Sequence, residues 1–183
     1  MPIALHYEGL DPNSQKREDY AKAQAAMLKV RPYITYFNSS RYGMDLANGE
    51  ICVGVGWSGG VALAKRLAED AGKGVKVEMA LPKEGAPMWS DVMMVPTNAP
   101  HAQEAYAFIN YILRPDVIAR ISNKIGYPNP NKEATALVNA EIRNNPAMYI
   151  PDEARKTLFA LEPVPAAVER IRTRTWTGIK THR

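Results

Sequence analysis

Cysteine is almost absent. Cys52 is the only one among 183 residues, so no disulfide can form within the chain and a disulfide-stapled fold is excluded. Histidine is nearly as scarce, and His6, His101 and His182 show no metal-ligand pattern such as a pair one helical turn apart. There is no Walker loop, no nucleophile elbow and no glycine fingerprint for a dinucleotide. No cofactor or metal is therefore expected, and an enzyme is the weaker reading. No apolar run approaches the ~20 residues of a membrane-crossing helix, so membrane insertion is not expected either. The start, Met1-Pro2-Ile3-Ala4-Leu5-His6, lacks the basic residues, apolar stretch and cleavage site of a signal peptide. Taken literally this implies a cytoplasmic protein, an inference that fails for a mature form or a fragment.

Charge of one sign is also lacking. With 23 Lys+Arg against 19 Asp+Glu the net charge is +4, and most basic residues are interleaved with acids, as in Lys16-Arg17-Glu18-Asp19. The one basic concentration is C-terminal: Arg170, Arg172, Arg174, Lys180 and Arg183. On a helix, positions two apart diverge by about 200°, so Arg170 and Arg172 face apart while Arg170 and Arg174 share a face. That pattern predicts the solvated face of a terminal helix, and no nucleic-acid partner is expected.

What is present is an ordinary globular balance, 46% hydrophobic and 23% charged, punctuated by 14 prolines and 12 glycines. Asp11-Pro12-Asn13-Ser14 predicts the opening of a helix that Arg31-Pro32 closes. Ile34–Phe37 reads as a short strand, and Met44–Ala47 as a short helix stopped by Asn48-Gly49. Ile51-Cys52-Val53-Gly54-Val55 is a continuous apolar run bounded by turn residues, the mark of a buried strand in which Cys52 packs. Gly56-Trp57-Ser58-Gly59-Gly60 leads into a helix. Strands are expected over Val75–Met79 and Trp89–Val95. A helix starts at Pro100 and breaks at Arg114-Pro115, and a second one follows. Tyr127-Pro128-Asn129-Pro130-Asn131 must be extended, since neither proline fits a helix. Helical stretches are expected near 132–143, 151–161 and 165–180. Alternating strands and helices predict an α/β architecture.

The aromatics carry the functional signal. Trp57 follows a predicted strand at its C-terminal end, where open α/β sheets place ligands. Trp89 and Asp91 are two apart on a predicted strand, so their side chains would point the same way. Tyr127 sits in a rigid loop. Two indoles, a phenol and a carboxylate suit an organic cation, the rings offering π-faces to an ammonium and the acid a charge-assisted hydrogen bond. From spacing alone each of these aromatics is more often core than ligand site. Gly54, Gly56, Gly59 and Gly60 could in principle cradle an anion at a helix start, but their spacing fits neither phosphate fingerprint.

At these residues the chain resembles the C-terminal half of the periplasmic polyamine-binding proteins, the putrescine/spermidine receptors of ABC importers. The resemblance runs through Asp45–Val53, Gly56-Trp57-Ser58-Gly59, Pro82-Lys83-Glu84-Gly85, Trp89-Ser90-Asp91, Leu113–Val117, Ile125–Asn131 and Arg172–Trp176. It implies a type II periplasmic-binding-protein-like fold, mostly the C-terminal lobe with part of the N-terminal lobe. Residues 1–90 would open the C-terminal lobe, 91–135 would belong to the N-terminal lobe, and 136–183 would be closing helices. It further implies that Trp57 and Trp89 sandwich an aliphatic chain, that Asp91 grips an amine and that Tyr127 lines the cleft. Periplasmic location and an ABC permease partner follow from the resemblance only.

Two departures bear on the ligand. Putrescine-type members carry an acid where this chain has Gly60 and tend to have Phe where it has Trp89, which favours spermidine over putrescine. The larger departure is length: the first half of a full member has no counterpart here, so the chain is expected to need that missing N-terminal half or a second copy of itself. The alternative is a truncated lobe that has lost its ligand and acts only as a self-associating or complementing fragment.

Overall fold

The computed structural model describes residues 1–181, so the expectations placed on His182 and Arg183 lie outside the described residues. Its helices are α1 (Pro2–Tyr7), α2 (Arg17–Val30), α3 (Tyr42–Asn48), α4 (Ser58–Ala71), α5 (Ala102–Ile112), α6 (Pro115–Ile125), α7 (Ala140–Arg143), α8 (Asp152–Arg155) and α9 (Ala166–Lys180). Single 3-10 turns occupy Arg31–Tyr33 and Lys132–Leu137. Two short strands, β1 (Pro87–Met88) and β2 (Phe159–Ala160), pair in parallel with Pro87 opposite Phe159. The chain divides into two units, one of Met1–Asn38, Leu81–Ser90 and the stretch from Asp152 onward, the other of Ser39–Ala80 and Asp91–Pro151.

In the first unit, α2 lies against α1 and α9 around Leu5, Tyr20, Ala23 and Val168. The proposed N-cap cluster works differently from expectation. α2 begins only at Arg17, behind Lys16, while Ser14 donates to Asp19 at 2.6 Å and accepts from the Lys16 N–H at 3.1 Å. Asp19 is thereby buried with a partner, and the Tyr20 hydroxyl ties the same turn by donating to the Ser14 carbonyl at 2.7 Å. Ile34–Phe37 is not a strand; Phe37 instead meets Trp176 edge-on, ring centroids 4.8 Å apart. Along α9, Arg170 and Arg174 are exposed, whereas the Arg172 side chain is 16% exposed and lies 3.5 Å from Glu169.

In the second unit, α3 packs on α4 around Tyr42, Ala47, Val61, Ala64, Ala68 and Val77. Gly49 ends α3 in the left-handed conformation, as Asn48-Gly49 predicts. A separate cluster of Ala119, Ala134 and Val138 joins α6 to the turn after it.

The predicted strands are where sequence and structure part. Ile51–Val55 forms no ladder; Cys52 is exposed, and Val53 and Val55 are 86% and 83% exposed. Trp89–Val95 likewise forms no ladder, with Val92 and Met94 exposed. A strand is a property of two segments, because its N–H and C=O groups need a neighbour's. Among the described residues neither apolar run forms a ladder with another segment. Val75–Met79 keeps the alternation without the ladder: Val77 is buried and Val75 and Met79 half-buried, while Lys76 and Glu78 are exposed.

Candidate functional site

Trp57 stands at the mouth of α4 as its N-cap, with extended backbone (φ −75°, ψ 142°) and an indole 49% exposed. An indole cannot accept the N–H groups that a helix start leaves over, and α4 has no side-chain cap of its own. A tyrosine distant in sequence serves instead. The Trp57 N–H donates to the Tyr42 hydroxyl at 3.1 Å. The Tyr127 ring packs against the same turn at Gly59, with its hydroxyl in the field of the Gly60 N–H.

The glycines around Trp57 make room for these rings. A Cβ on Gly56 or Gly60 would run into the Tyr42 phenol, and one on Gly59 into the Tyr127 ring. None of the three has positive φ, so close approach, and not backbone freedom, requires them. The anion-cradle reading gives way to this one.

Tyr127 reaches α4 because Gly126 ends α6 in the left-handed conformation and nestles against Ala62 and Gly59. The following loop is braced by side chains. Asn129 donates to Ser122 at 2.8 Å and Asn131 to the Leu113 carbonyl at 2.7 Å, while Asn131 also caps the 3-10 turn behind it. Burial raises the Tyr127 hydroxyl above the usual tyrosine range, helped by Tyr42 and by the charge of Asp91, while the Gly60 N–H opposes the shift. Tyr127 is thus a neutral phenol at physiological pH, within the field of Asp91.

Asp91 is exposed and makes no ion pair among the described residues. The structure therefore brings Trp57, Tyr127 and Asp91 into one unit, Trp57 as the N-cap of α4 and Tyr127 packed against the first turn of that helix from the loop after α6. Trp89 belongs to the other unit, half-exposed just after β1. The shared strand that was to aim Trp89 and Asp91 the same way does not form. Sequence reasoning missed Tyr42, whose pairing with Gly56 and Gly60 shows only in three dimensions. Two open depressions, of about 560 and 340 Å³, contain none of these residues; one is lined by Glu169, Arg170 and Arg174 among others, the other by Tyr111, Arg120 and Lys124 among others. No group of three His, Cys, Asp or Glu able to hold a metal occurs among the described residues, and no described helix is long and apolar enough to cross a membrane.

The chain superimposes on the substrate-binding protein of a spermidine/putrescine ABC transporter from Streptococcus pneumoniae with TM-score 0.83 at 23% identity, covering 98% of this chain and 54% of that one. The architecture is therefore a part of the type II, α/β periplasmic-binding-protein fold.

Residues 1–150 match the family of bacterial extracellular solute-binding proteins, and the chain belongs to it. It is 52% identical over 181 residues to a putrescine/agmatine-binding protein of Pseudomonas aeruginosa, covering 99% of this chain and 49% of that protein. It is 49% identical over 178 residues to a putrescine-binding periplasmic protein of Escherichia coli, covering 97% of this chain and 48% of the other. The chain thus spans about half the length of the curated relatives it matches.

Proposed function

We propose that this chain is the polyamine-recognising half of a periplasmic receptor that delivers its ligand to an ABC permease. The observation that carries the reading is the first turn of α4, where a half-exposed indole and a partly exposed phenol share a unit with Asp91, which has no ion pair among the described residues. A polyamine combines ammonium groups with methylene spacers. Trp57 offers its π-face to both, worth about 0.5–2 kcal/mol depending on desolvation. Asp91 takes an ammonium through a charge-assisted hydrogen bond, and neutral Tyr127 accepts a further N–H. Trp89 joins as the second indole through the family resemblance. The lobe assignment of 1–90, 91–135 and 136–183 is part of the same proposal, as is completion of the site by the absent N-terminal half or by a second copy.

Spermidine is proposed over putrescine because position 60 is glycine and position 89 is tryptophan. With no acid at 60, the first turn of α4 keeps its positive dipole end unneutralised, which disfavours an ammonium placed there. The names of the two relatives above favour putrescine or agmatine instead, so the choice is open to direct competition. Calorimetric titration of both amines should give tighter spermidine binding that Asp91→Asn and Trp57→Ala each weaken at least about tenfold, the order expected when a charged hydrogen bond or a cation–π partner is removed. Equal affinity of Asp91→Asn and the parent would contradict the assignment.

A second reading is a fragment without ligand that self-associates or complements another chain. The exposure of Val53, Val55, Val92 and Met94 favours it, since apolar segments with unpaired backbone recruit partners. Concentration-dependent mass with no amine binding would select it.

A further inference from the structure

We propose that Tyr42 is the positioning residue of Trp57, acting as a cap supplied from α3 to a helix whose own sequence has none. In a capping box the N-cap side chain takes the N–H at the third helical position, and an acid at that third position takes the N-cap N–H. In α4 the N-cap is Trp57 and the third position is Gly60, so neither side chain can do this. The N-cap bond is nevertheless made from elsewhere: Tyr42 accepts the Trp57 N–H, while the Tyr127 ring packs on Gly59 beside it.

The two tyrosines differ in what they do. Tyr42 is nearly fully buried, held in the core cluster with Ala47, Val61 and Ala64. Its hydroxyl is therefore a fixed point, and the bond to the Trp57 backbone transfers that fixity to a residue whose ring is half in solvent. Tyr127 is more exposed and also faces the charge of Asp91, so its hydroxyl stands on the ligand side. Gly56 and Gly60 complete the device, because a Cβ at either would push the Tyr42 phenol away from the Trp57 N–H. Tyr42 thus acts on ligand through Trp57 and touches none itself. Its effect on affinity rests on the polyamine reading above; its effect on Trp57 does not.

The test uses the full chain. Tyr42→Phe keeps the ring that fills the space beside Gly56 and removes only the acceptor. In a background with Trp89→Phe and Trp176→Phe, Trp57 is the sole tryptophan, and acrylamide quenching reads its mobility directly. Tyr42→Phe should raise that quenching and shift the emission, whereas Tyr106→Phe, an exposed phenol on α5, should leave both unchanged, with circular dichroism confirming that each variant folds. With the native tryptophans restored, spermidine affinity should fall about fivefold in Tyr42→Phe, the factor that one ordinary hydrogen bond represents. The loss should largely vanish when Trp57 is already alanine. Unchanged quenching, or an affinity loss that simply adds to that of Trp57→Ala, overturns the proposal. Absence of spermidine binding in the parent overturns the polyamine reading instead, and the quenching result still decides the role of Tyr42.

Discussion

The ring of Tyr127 lies so close to Gly59 that the two positions exclude even one added methyl group between them. Gly59→Ala should therefore displace the ring from the α4 turn. Overpacking of this kind costs about 1–3 kcal/mol, which urea unfolding would read as a lower midpoint at unchanged slope. In a Tyr127→Ala background the same substitution should be neutral or mildly stabilising, because alanine favours a helix over glycine by up to about 1 kcal/mol. Equal destabilisation in both backgrounds would contradict the contact.

Gly60 tests the same turn from its other side. Gly60→Asp introduces an acid at the third helical position, which suits the helix dipole, but its Cβ meets the Tyr42 hydroxyl. Alone it should lower thermal stability. Combined with Tyr42→Phe it should be tolerated better, since the nearest remaining ring atom is 3.2 Å from the new Cβ. If the acid also raises putrescine affinity relative to spermidine, the selectivity argument stands; an unaltered ratio counts against it.

Arg172 sets up a prediction for the other unit. Its Nε and one Nη are buried without a hydrogen-bond partner among the described residues, and its ion pair with Glu169 is long at 3.5 Å. A buried guanidinium so poorly satisfied is outmatched by an apolar side chain of similar length, and Arg172→Met should raise stability by about 1–4 kcal/mol. Burial, then the Arg172 charge, also hold the Met1 amine below its usual 8.0. An amine depressed in the folded state is protonated more readily in the unfolded one, so stability rises as pH climbs from the folded value towards 8.0. Arg172→Met should flatten that rise, measured as the melting temperature between pH 6 and 8.5. A slope unchanged by the substitution would show that Arg172 does not act on the amine.

Helices were the legible part of the fold because their signals are local. Gly49 stopping α3, Arg114-Pro115 dividing α5 from α6, and the extended Tyr127–Asn131 loop each follow from residues within one turn of the event. α1 was not anticipated; six residues without a side-chain cap leave little to read. Ile51–Val55 has the composition of a buried strand, yet its pairing depends on a neighbour that the run itself cannot specify. The site divides in the same way. Trp57, Tyr127 and Asp91 are candidates by residue type, and the structure places Trp57 at the start of α4 and the Tyr127 ring against Gly59 in its first turn. The purpose of Gly56, Gly59 and Gly60 could not be read that way, because it is set by Tyr42 and Tyr127, which the chain brings in from well before and well after them. The inferred alignment of Trp89 with Asp91 failed with the strand it relied on.

The central claim is that this chain recognises a polyamine, and native mass spectrometry with and without equimolar spermidine and putrescine tests it most directly. The account predicts one amine bound per site on the monomer or on a dimer, spermidine displacing putrescine, and loss of the adduct in Trp57→Ala. Unliganded species at every stoichiometry, from a sample whose circular dichroism shows the helices intact, would contradict it.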